Sequence, residues 1–498
     1  MAEKTNSTPL LKEGEYTVTK VMELAFFDLT GEKAKTKGSS NKSYHIEIQE
    51  SKSGDGKCQI FTIWGATGAA NQTKEWRYYP SPSKAEKDYH SIINSKLKKG
   101  YKEVDVAQRN LGSTEAKNIT KAVILKNAED LVKPESTTLD VSTQYLITSL
   151  FGLTSTFVTN TLKCPLGQLT NKQIDLGKDL LVQAKDIVNN NKTLNKDLSK
   201  QIENITNDFY TAIPHNLGQG SRGQLLDLLL DSSVKIAQKE QDLDDLLDAK
   251  SVGVQLVSND IDDKYKSLNT EFKPIIQDSK EFLWIQEVME GTKARNHSAL
   301  GKIKLLNVWK MHRQNELKVF LENTERIAKE NKDKVIPEVL SKYLKTWPVE
   351  DKDHRELFDK ANTLPLWHGT RPSSFVGIIK NGLLIRPAGA TLTGSCYGNG
   401  IYFGHASKSI NYSNIKSSYW AKGTADKTFM FLSHTTLGNT KIATGSYQYS
   451  KRNISPFHSV WAKGGQSGVI NDEFIVYDPA GPDQSFKLDY IVEFTCSR

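Results

Sequence analysis

The spacing of apolar and polar residues changes character along this 498-residue chain. Apolar and polar positions alternate over residues 43–49 and 58–64, which is typical of two half-buried strands joined as a hairpin. Between about residues 139 and 257, apolar residues recur every three or four positions, which predicts a bundle of amphipathic helices. Strand-like runs return in the last part, at 427–433, 472–478 and 488–494. The pattern therefore predicts a multidomain α+β protein.

A helix is predicted directly after the N-terminal hairpin. Ser83 is placed to cap its first turn, and Glu86 three residues later completes a capping box. The helix is expected to run to about Lys98 and to end at Gly100. The N-terminal part is thus expected to be a small β-sheet plus one helix.

Three groups of positions carry the predicted apolar faces of the central all-α bundle. They are Leu176, Leu180, Leu181, Ala184 and Ile187; Leu225, Leu226, Leu229 and Leu230; and Leu243, Leu246 and Leu247.

The changes of pattern also give domain boundaries. The expected segments are 14–110, a polar linker at 111–138, the bundle at 139–257 and a C-terminal domain at 258–498. The stretch 321–361 is rich in Lys and Glu and is expected to add a helix or two.

Composition limits the class of protein. The apolar share of 37% and the charged share of 25% fit soluble globular domains. We find no apolar run of about 18 residues and no apolar signal core at the N-terminus, so we expect an intracellular protein with no membrane partner. The four cysteines form no C-x-x-C motif, and we expect no metal. A net charge of +8 is too modest to indicate nucleic-acid binding by itself.

Four short phrases in the last segment carry the candidate chemistry, at 364–371, 400–403, 407–412 and 471–478. They bring His368, Tyr402 and Glu473 to strand ends, with Ser409 and Tyr412 between. Each residue alone is more often a loop histidine, a core aromatic or a surface carboxylate. Their joint order favours one shared pocket, and no Gly-rich phosphate loop points to a Rossmann dehydrogenase.

This His-Tyr-Glu set resembles the signature of the poly(ADP-ribose) polymerases. The resemblance implies a C-terminal mixed β-sandwich of the ADP-ribosyltransferase fold, with NAD+ as substrate and no metal. It implies that His368 hydrogen-bonds the adenine-side ribose and that Gly369 and Ser409 hold the nicotinamide carboxamide. Tyr402 and Tyr412 would sandwich the nicotinamide ring. Residues that would reach the adenosine half are Thr370 and, two positions from the family's usual Arg, Arg386.

Glu473 supplies the carboxylate that this chemistry needs. Nicotinamide leaves NAD+ as a neutral molecule, so no general acid is required, unlike ordinary glycoside hydrolysis. A carboxylate that accepts a hydrogen bond from the ribose 2′-hydroxyl favours the oxocarbenium-like transition state. The resemblance implies that Glu473 also polarises an acceptor hydroxyl, which permits polymer growth.

The N-terminal segment resembles the WGR domain of the DNA-dependent members of that family, through residues 44–49, Trp64-Gly65 and the helix near 84–98. The motif's Arg is Ala66 here, so contacts to DNA through this patch are weakened or rerouted. Trp64 is alternatively a plain core aromatic at a strand end. Candidate DNA contacts are Trp64, Gly65, Lys74, Arg77 and Lys98.

The central bundle resembles the helical regulatory domain of the same enzymes, through the phrases at 165–170, 209–218 and 243–248. In the family this bundle covers the adenosine side of the NAD cleft and inhibits until DNA binding loosens it. The resemblance assigns Leu243, Asp244 and Asp248 to that regulatory face, and the alternative is that the two carboxylates are simply solvated.

The resulting hypothesis is a protein ADP-ribosyltransferase that uses NAD+, is activated by DNA ends or nicks, forms polymer and modifies acceptor proteins including itself. The loop between Val460 and Glu473 is shorter than the family pattern, which leaves transfer of single units open. Ala66 leaves DNA-independent transfer open, and a non-catalytic DNA-end scaffold is a further alternative. The resemblance implies a nuclear protein, or a cytoplasmic one if the source organism lacks a nucleus.

Overall fold

A computed structural model gives the fold for part of the chain. It describes residues 5–6, 9–12, 14–29, 40–66, 73–104, 137–162, 169–191, 193–215, 227–252, 256, 260–332, 336–349, 351–385, 396–419, 421 and 423–497. The chain divides into two compact units, which consist of residues 1–126 with 156–250 and residues 127–155 with 251–498. The predicted domain boundaries stay a prediction.

The strands are β1 Thr5–Asn6, β2 Tyr16–Asp28, β3 Ser40–Ser51, β4 Cys58–Ala66, β5 Thr73–Tyr79, β6 Lys102–Val104, β7 Thr270–Pro274, β8 Lys302–Arg313, β9 Thr363–His368, β10 Ile401–Gly404, β11 Lys427–Thr436, β12 Thr440–Ile442, β13 Ser459–Ala462, β14 Glu473–Val476 and β15 Phe486–Ser497.

The α-helices are α1 Pro82–Lys98, α2 Val141–Thr161, α3 Asn171–Asn190, α4 Lys196–Ala212, α5 Ser233–Val252, α6 Ile261–Ser267, α7 Lys280–Gly291, α8 Glu316–Glu330, α9 Glu338–Leu344, α10 Lys352–Lys360, α11 Phe375–Asn381, α12 Ala406–Ile410 and α13 Lys451–Ile454. In the described ranges, 3-10 helices lie at Arg295–Leu300 and Pro372–Ser374. Within the described ranges, no helix is both long enough and apolar enough to span a bilayer.

The first unit begins with an antiparallel sheet in the order β1-β5-β4-β3-β2-β6. The predicted hairpin is confirmed as β3 and β4, and both strands extend beyond the predicted bounds. Alternate side chains of β3, including Tyr44, Ile46 and Ile48, are buried in a core that also takes Tyr89 and Ile93 from α1. These apolar residues occupy alternate positions because successive side chains of a strand point to opposite faces of the sheet.

The predicted start of α1 is wrong by two residues. Ser81, not Ser83, precedes the helix, in an extended conformation and without a side-chain cap. Pro82 occupies the first turn, where its fixed φ is favourable and its missing N–H costs no hydrogen bond. Glu86 forms an ion pair with Lys20 of β2 in place of the predicted capping box. The predicted end holds, because Gly100 has a φ of +88°, a conformation that favours glycine.

Helices α3, α4 and α5 continue the first unit. Leu180, Leu181 and Ala184 are buried as predicted, whereas Leu176 is 50% exposed and does not belong to the apolar face. Thr170 and Gln173 form a capping box at the start of α3. The central helical region is thus confirmed, with this correction to its predicted face.

A predicted helix through residues 225–230 is not found where the structure describes that stretch. Residues 227–232 are turn, bend or irregular, and residues 225–226 lie outside the described residues. The N–H of Leu230 donates to Thr206 Oγ1 over 3.1 Å, so this backbone group is satisfied by a side chain of α4.

The second unit is built on a nine-stranded mixed sheet in the order β12-β13-β14-β10-β9-β11-β15-β8-β7. The three predicted strands are confirmed as β11, β14 and β15. All neighbouring strands are antiparallel except β12 and β13. Large side chains of the central strands, among them Phe431 and Phe494, are fully buried.

The Lys- and Glu-rich stretch contains the end of α8 and all of α9 and α10. Their apolar residues Phe320, Tyr343 and Phe358, with Trp347 between α9 and α10, pack into the core of the second unit. The charged residues of this stretch therefore lie on helices with one buried face, as an amphipathic pattern requires.

A buried polar network runs through the sheet of the first unit. His45 on β3 forms hydrogen bonds with the carboxylates of Glu23 and Glu47, and its Nε2 lies 3.3 Å from Glu47 Oε2. Gln49 donates to Glu47, and Gln59 donates to Gln49 over 2.5 Å. Burial alone would lower the pKa of His45, but the charge and hydrogen bond of Glu23 and then Glu47 outweigh it and raise this pKa to about 10.

The first prediction concerns the pH dependence of the first unit. Because the folded pKa of His45 lies above its ordinary value of 6.5, its charge stabilises the fold fully below pH 6.5 and progressively less toward pH 10. We expect the thermal midpoint of this unit to fall over that range and the fall to shrink in His45→Gln. His90→Gln is the control, since His90 is exposed on α1. An unchanged pH slope in His45→Gln would contradict the predicted role of His45.

Candidate active site

The strand pairing of the second unit brings the predicted catalytic residues together. β10 lies between β9 and β14, and its Gly404 is opposite both Trp367 and Glu473. His368 ends β9, Tyr402 is on β10, and Glu473 begins β14. Three residues that are distant in the chain therefore lie on adjacent strands of one sheet.

His368 is held in one tautomer. Its Nδ1–H donates to the carbonyl of Tyr402 over 3.0 Å, because a carbonyl oxygen only accepts. Nε2 is consequently the acceptor nitrogen, and the structure shows no partner for it among the described residues. Burial lowers the pKa of His368, although the bond to Tyr402 opposes the shift, so the ring stays neutral. A neutral acceptor is suited to receiving a ligand hydroxyl.

Gly369 meets the backbone of α12 at a distance that excludes any side chain. A Cβ at this position would lie 1.8 Å from the carbonyl oxygen of Ser409. The hydroxyl of Ser409 donates to the carbonyl of Trp367 over 2.8 Å, which leaves its lone pairs as acceptors. The turn after β9 is thus fixed against α12, with backbone polar groups at the end of the strand.

The hydroxyl of Tyr402 makes two hydrogen bonds that hold its ring in place. It donates to the carbonyl of Gly398 over 2.8 Å and accepts from the N–H of Tyr397 over 3.0 Å. Gly398 has a φ of +87° and its position leaves no room for a Cβ. Burial raises the pKa of Tyr402 and also that of Tyr412, so both phenols are neutral. Two rigid aromatic side chains are therefore available beside the strand ends.

Lys408 is a site residue that the sequence analysis missed. Its ammonium lies 2.5 Å from Glu473 Oε1, and the two side chains are only 15% and 8% exposed. Burial lowers the pKa of Lys408, but the charges of Glu473 and Tyr412 and the hydrogen bonds to both together outweigh burial, and the net shift is upward. The ammonium also lies 5.4 Å from the ring centroid of Tyr412. Glu473 is thus a buried carboxylate with a fixed cationic partner.

Two histidines hold the segment just before Glu473. Nε2 of His297 accepts from Asn471 over 3.0 Å, and its Nδ1–H donates to Ser407 Oγ over 2.9 Å. His405 Nε2 donates to Asp472 Oδ2 over 3.4 Å. Burial, then Lys408 and Lys293, lower the pKa of His297, which agrees with the neutral form that these bonds require. His297 therefore joins α12, which carries Lys408, to the segment that leads into Glu473.

Of the two residues predicted to reach the adenosine half of NAD+, only one lies in the described ranges. Thr370 is half-buried in the turn after β9, directly after Gly369. Arg386 lies outside the described residues.

The predicted DNA-contact residues lie on β4, β5 and α1 of the first unit. Trp64 is half-buried and stacks on Tyr44 with ring centroids 5.7 Å apart, so it is partly a core residue. Lys74 on β5 and Lys98 on α1 are exposed. Arg77 is paired with Glu75 over 2.6 Å, which occupies its guanidinium.

The predicted regulatory residues on α5 also have defined surroundings. Leu243 is fully buried, and its Cδ1 would lie 3.2 Å from a Cβ placed on Gly177 of α3. Asp244 forms an ion pair with Lys178 of α3 over 2.9 Å. Asp248 is half-buried. The regulatory role of these residues stays a prediction.

No group of three His, Cys, Asp or Glu side chains in the described ranges is arranged to hold a metal ion. Cys58, Cys396 and Cys496 are free thiols.

A mixed sheet with His, Tyr and Glu on neighbouring strands, Ser on the adjoining helix and Tyr just after that helix is the arrangement expected of an ADP-ribosyltransferase catalytic domain. The family comparisons agree. The family models for the WGR domain, the poly(ADP-ribose) polymerase regulatory domain and the poly(ADP-ribose) polymerase catalytic domain match residues 27–108, 137–272 and 279–468. The chain belongs to the poly(ADP-ribose) polymerase family.

Three relatives illustrate the extent of the similarity. A poly [ADP-ribose] polymerase of Sarcophaga peregrina is 29% identical over 61% of this chain and 26% of its own length. Poly [ADP-ribose] polymerase 2 of Zea mays is 26% identical over 78% of this chain and 55% of its own length. The Homo sapiens protein of the same name is 25% identical over 75% and 59%, respectively. The chain thus matches less than two thirds of the length of each relative.

The second prediction tests the bridge made by His297. His297→Ala removes two hydrogen bonds, so the segments 406–410 and 471–476 should exchange their amide hydrogens about tenfold faster. Exchange measured by mass spectrometry on the full chain checks this expectation. His312→Ala, an exposed histidine on β8, is the matched control and should leave both segments unchanged. Unaltered exchange in His297→Ala would show that the bridge does not hold these segments.

Proposed function

We propose that this chain is an NAD-dependent protein ADP-ribosyltransferase that releases nicotinamide and modifies acceptor proteins including itself. It then extends the first ADP-ribose that it has transferred into a polymer. The observation that carries the proposal is the buried pair of Glu473 and Lys408 beside His368 and Tyr402. The names of the relatives support the same reaction. The residue roles below are part of this proposal.

The binding roles follow from the donors and acceptors at the strand ends. His368 Nε2 accepts a hydrogen bond from a hydroxyl of the adenine-side ribose. The N–H and C=O of Gly369 pair with the nicotinamide carboxamide, and Ser409 Oγ accepts from its amide group. Tyr402 and Tyr412 flank the ring, with about 1 kcal/mol from each aromatic contact. The ligand is thereby oriented before any bond changes.

Glu473 acts on the reacting ribose. The bond between ribose C1′ and the nicotinamide nitrogen breaks, and its electron pair neutralises the ring nitrogen. Glu473 accepts a hydrogen bond from the 2′-hydroxyl, so its negative charge stabilises the positive charge that develops on the sugar. The acceptor oxygen then bonds to C1′ and its proton passes to the carboxylate. Lys408 pairs with Glu473 and holds its carboxylate turned toward the sugar.

The third prediction tests this role of Glu473. Glu473→Gln keeps the shape but removes the charge, so nicotinamide release should fall by about 10²- to 10³-fold with little change in NAD+ affinity. Release is measured with NAD+ at saturation, and affinity by titration. Asp426→Asn is the control, because Asp426 is 84% exposed and pairs only with Lys416 among the described residues. Wild-type activity in Glu473→Gln would reject the proposed mechanism.

The length of the product remains a separate part of the proposal. The short segment between β13 and β14 favours transfer of single units as the alternative. A ladder or smear of labelled products on a gel supports polymer formation, and a single discrete addition supports the alternative.

We further propose that DNA ends or nicks bind the WGR domain and stimulate transfer, in the nucleus where the cell has one. The matched WGR domain and the exposed lysines Lys74 and Lys98 support this proposal. Trp64 offers a partly exposed ring for a sugar at the DNA end. Ala66 carries no charge, so the lysines replace the contacts of the motif's Arg.

The fourth prediction tests control by DNA. Nicked DNA should raise the initial rate of labelling from labelled NAD+, and Lys74→Glu with Lys98→Glu should weaken this stimulation while the DNA-free rate stays the same. Lys57→Glu is the control, because Lys57 precedes β4 at the end opposite Trp64. Equal wild-type rates with and without DNA would establish the DNA-independent alternative. A chain that binds DNA but never consumes NAD+ would be the scaffold.

A further inference from the structure

A long stretch of the second unit has no acidic residue. Residues 427–471 contain no Asp or Glu, although 58 of the 498 residues in the chain are acidic. The stretch includes β11, which is internal to the sheet, and also β12, α13 and β13, of which β12 and β13 form one end of the sheet. Its basic residues are Lys427, Lys441, Lys451, Arg452 and Lys463. This end of the sheet is therefore suited to a polyanion.

Three aromatic rings and one ammonium group lie in a row on this end, and we call them the aromatic ridge: Tyr447, Tyr449, Lys441 and Phe457. The ring centroids of Tyr447 and Tyr449 are 4.9 Å apart. The ammonium of Lys441 lies 5.4 Å from the centroid of Tyr449 and 5.9 Å from that of Phe457. Tyr447 is 57% exposed and Phe457 is 38% exposed, so two large rings face solvent beside a cation.

The carboxylates that approach this end of the sheet are already paired. Asp478 and Asp483 both bind Lys451, over 2.5 and 3.3 Å. Glu330 binds His458 over 3.1 Å. Lys441 and Arg452, in contrast, have no carboxylate partner within the part of the chain that the structure describes. The ridge thus keeps free positive charge next to exposed aromatic faces.

The ridge is continuous with the loop that fixes Tyr402. The N–H of Tyr447 donates to the carbonyl of Cys396 over 2.9 Å. A Cβ on Gly398 would lie 1.9 Å from the carbonyl oxygen of Tyr449, so these backbones are in direct contact. The carbonyl oxygen of Gly398 in turn accepts a hydrogen bond from the hydroxyl of Tyr402. The segments that carry the ridge and the candidate site therefore pack on each other.

We propose that the aromatic ridge binds a chain of ADP-ribose units already attached to an acceptor. The adenines stack on Tyr447 and Phe457, as bases stack on aromatic platforms in single-strand binding proteins, and the pyrophosphates pair with Lys441 and Arg452. Single-stranded nucleic acid shares this chemistry. Contact with the loop of Tyr402 favours the ADP-ribose chain, since that chain grows at the adjoining site. This inference rests on the proposed function and adds a product-binding surface to it.

Binding at the ridge has a consequence for product length. A chain that stays attached beside the site is presented again for the next addition. The initial rate of nicotinamide release does not depend on Lys441, Tyr447 or Phe457, because the described structure shows no contact between these side chains and His368, Tyr402 or Glu473. The ridge therefore governs the length of the product and not the first transfer.

The fifth prediction uses direct binding on the full chain without NAD+. Short, labelled ADP-ribose oligomers are titrated against wild type, Lys441→Glu and the double variant Tyr447→Ala with Phe457→Ala. Both variants should bind at least tenfold more weakly, and wild-type binding should weaken as salt rises. Lys416→Glu and Ile470→Ala, which alter an exposed lysine and an exposed apolar residue of the same unit, should bind as wild type does.

A second readout uses the active chain. With NAD+ present, the ridge variants should give shorter products at an unchanged initial rate of nicotinamide release. Wild-type binding in the variants, no binding by wild type, unchanged product length, or tighter binding of oligo(dA) than of ADP-ribose oligomers would each overturn the inference. If wild type releases no nicotinamide, the proposed function fails, while the titration still decides whether the ridge binds the oligomers.

Discussion

The ion pair between Lys408 and Glu473 is the contact on which the account of the site depends. Two opposite charges that are mostly removed from water are costly to bury, and a pair of this kind persists only if its geometry is maintained. Here Lys408 belongs to a five-residue helix and Glu473 begins a strand. The pair therefore requires that α12 and β14 keep their separation.

The surrounding structure supplies that constraint in several independent ways. β10 pairs with β14 on one side and β9 on the other, which sets the distance between Glu473 and His368. The hydroxyl of Ser409 donates a hydrogen bond to the carbonyl of Trp367 near the end of β9, and His297 joins Ser407 of α12 to Asn471. Because every strand in the group is internal to the sheet, small displacements are resisted by backbone hydrogen bonds. A carboxylate so fixed needs little reorganisation when charge develops on a substrate, which is the basis of electrostatic catalysis.

The sequence was most informative where chemistry and local structure coincide. His368, Tyr402 and Glu473 lie at strand ends within distinctive phrases, so a motif and an alternating pattern were enough to find them. Lys408 stands in one of those phrases, but its role arises from a strand that begins 65 residues later, and no local signal reports that pairing. No local signal indicated His297 either, because its hydrogen-bond partners Ser407 and Asn471 are distant from it in the sequence.

Local rules failed where tertiary contacts or a stronger residue prevailed. Helix α1 begins at Pro82, two residues earlier than predicted. The half-exposed Leu176 shows that a helical period does not by itself identify the buried residues. The irregular backbone at residues 227–232 shows that leucine spacing alone does not establish a helix.

The most direct measurement of the central claim is a crystal structure of the full chain with a non-hydrolysable NAD+ analogue. The account predicts the nicotinamide ring between Tyr402 and Tyr412, its carboxamide on Gly369 and Ser409, and the 2′-hydroxyl of its ribose hydrogen-bonded to a Glu473 that still contacts Lys408. An analogue bound elsewhere, or a Glu473 carboxylate directed away from that ribose, would contradict it.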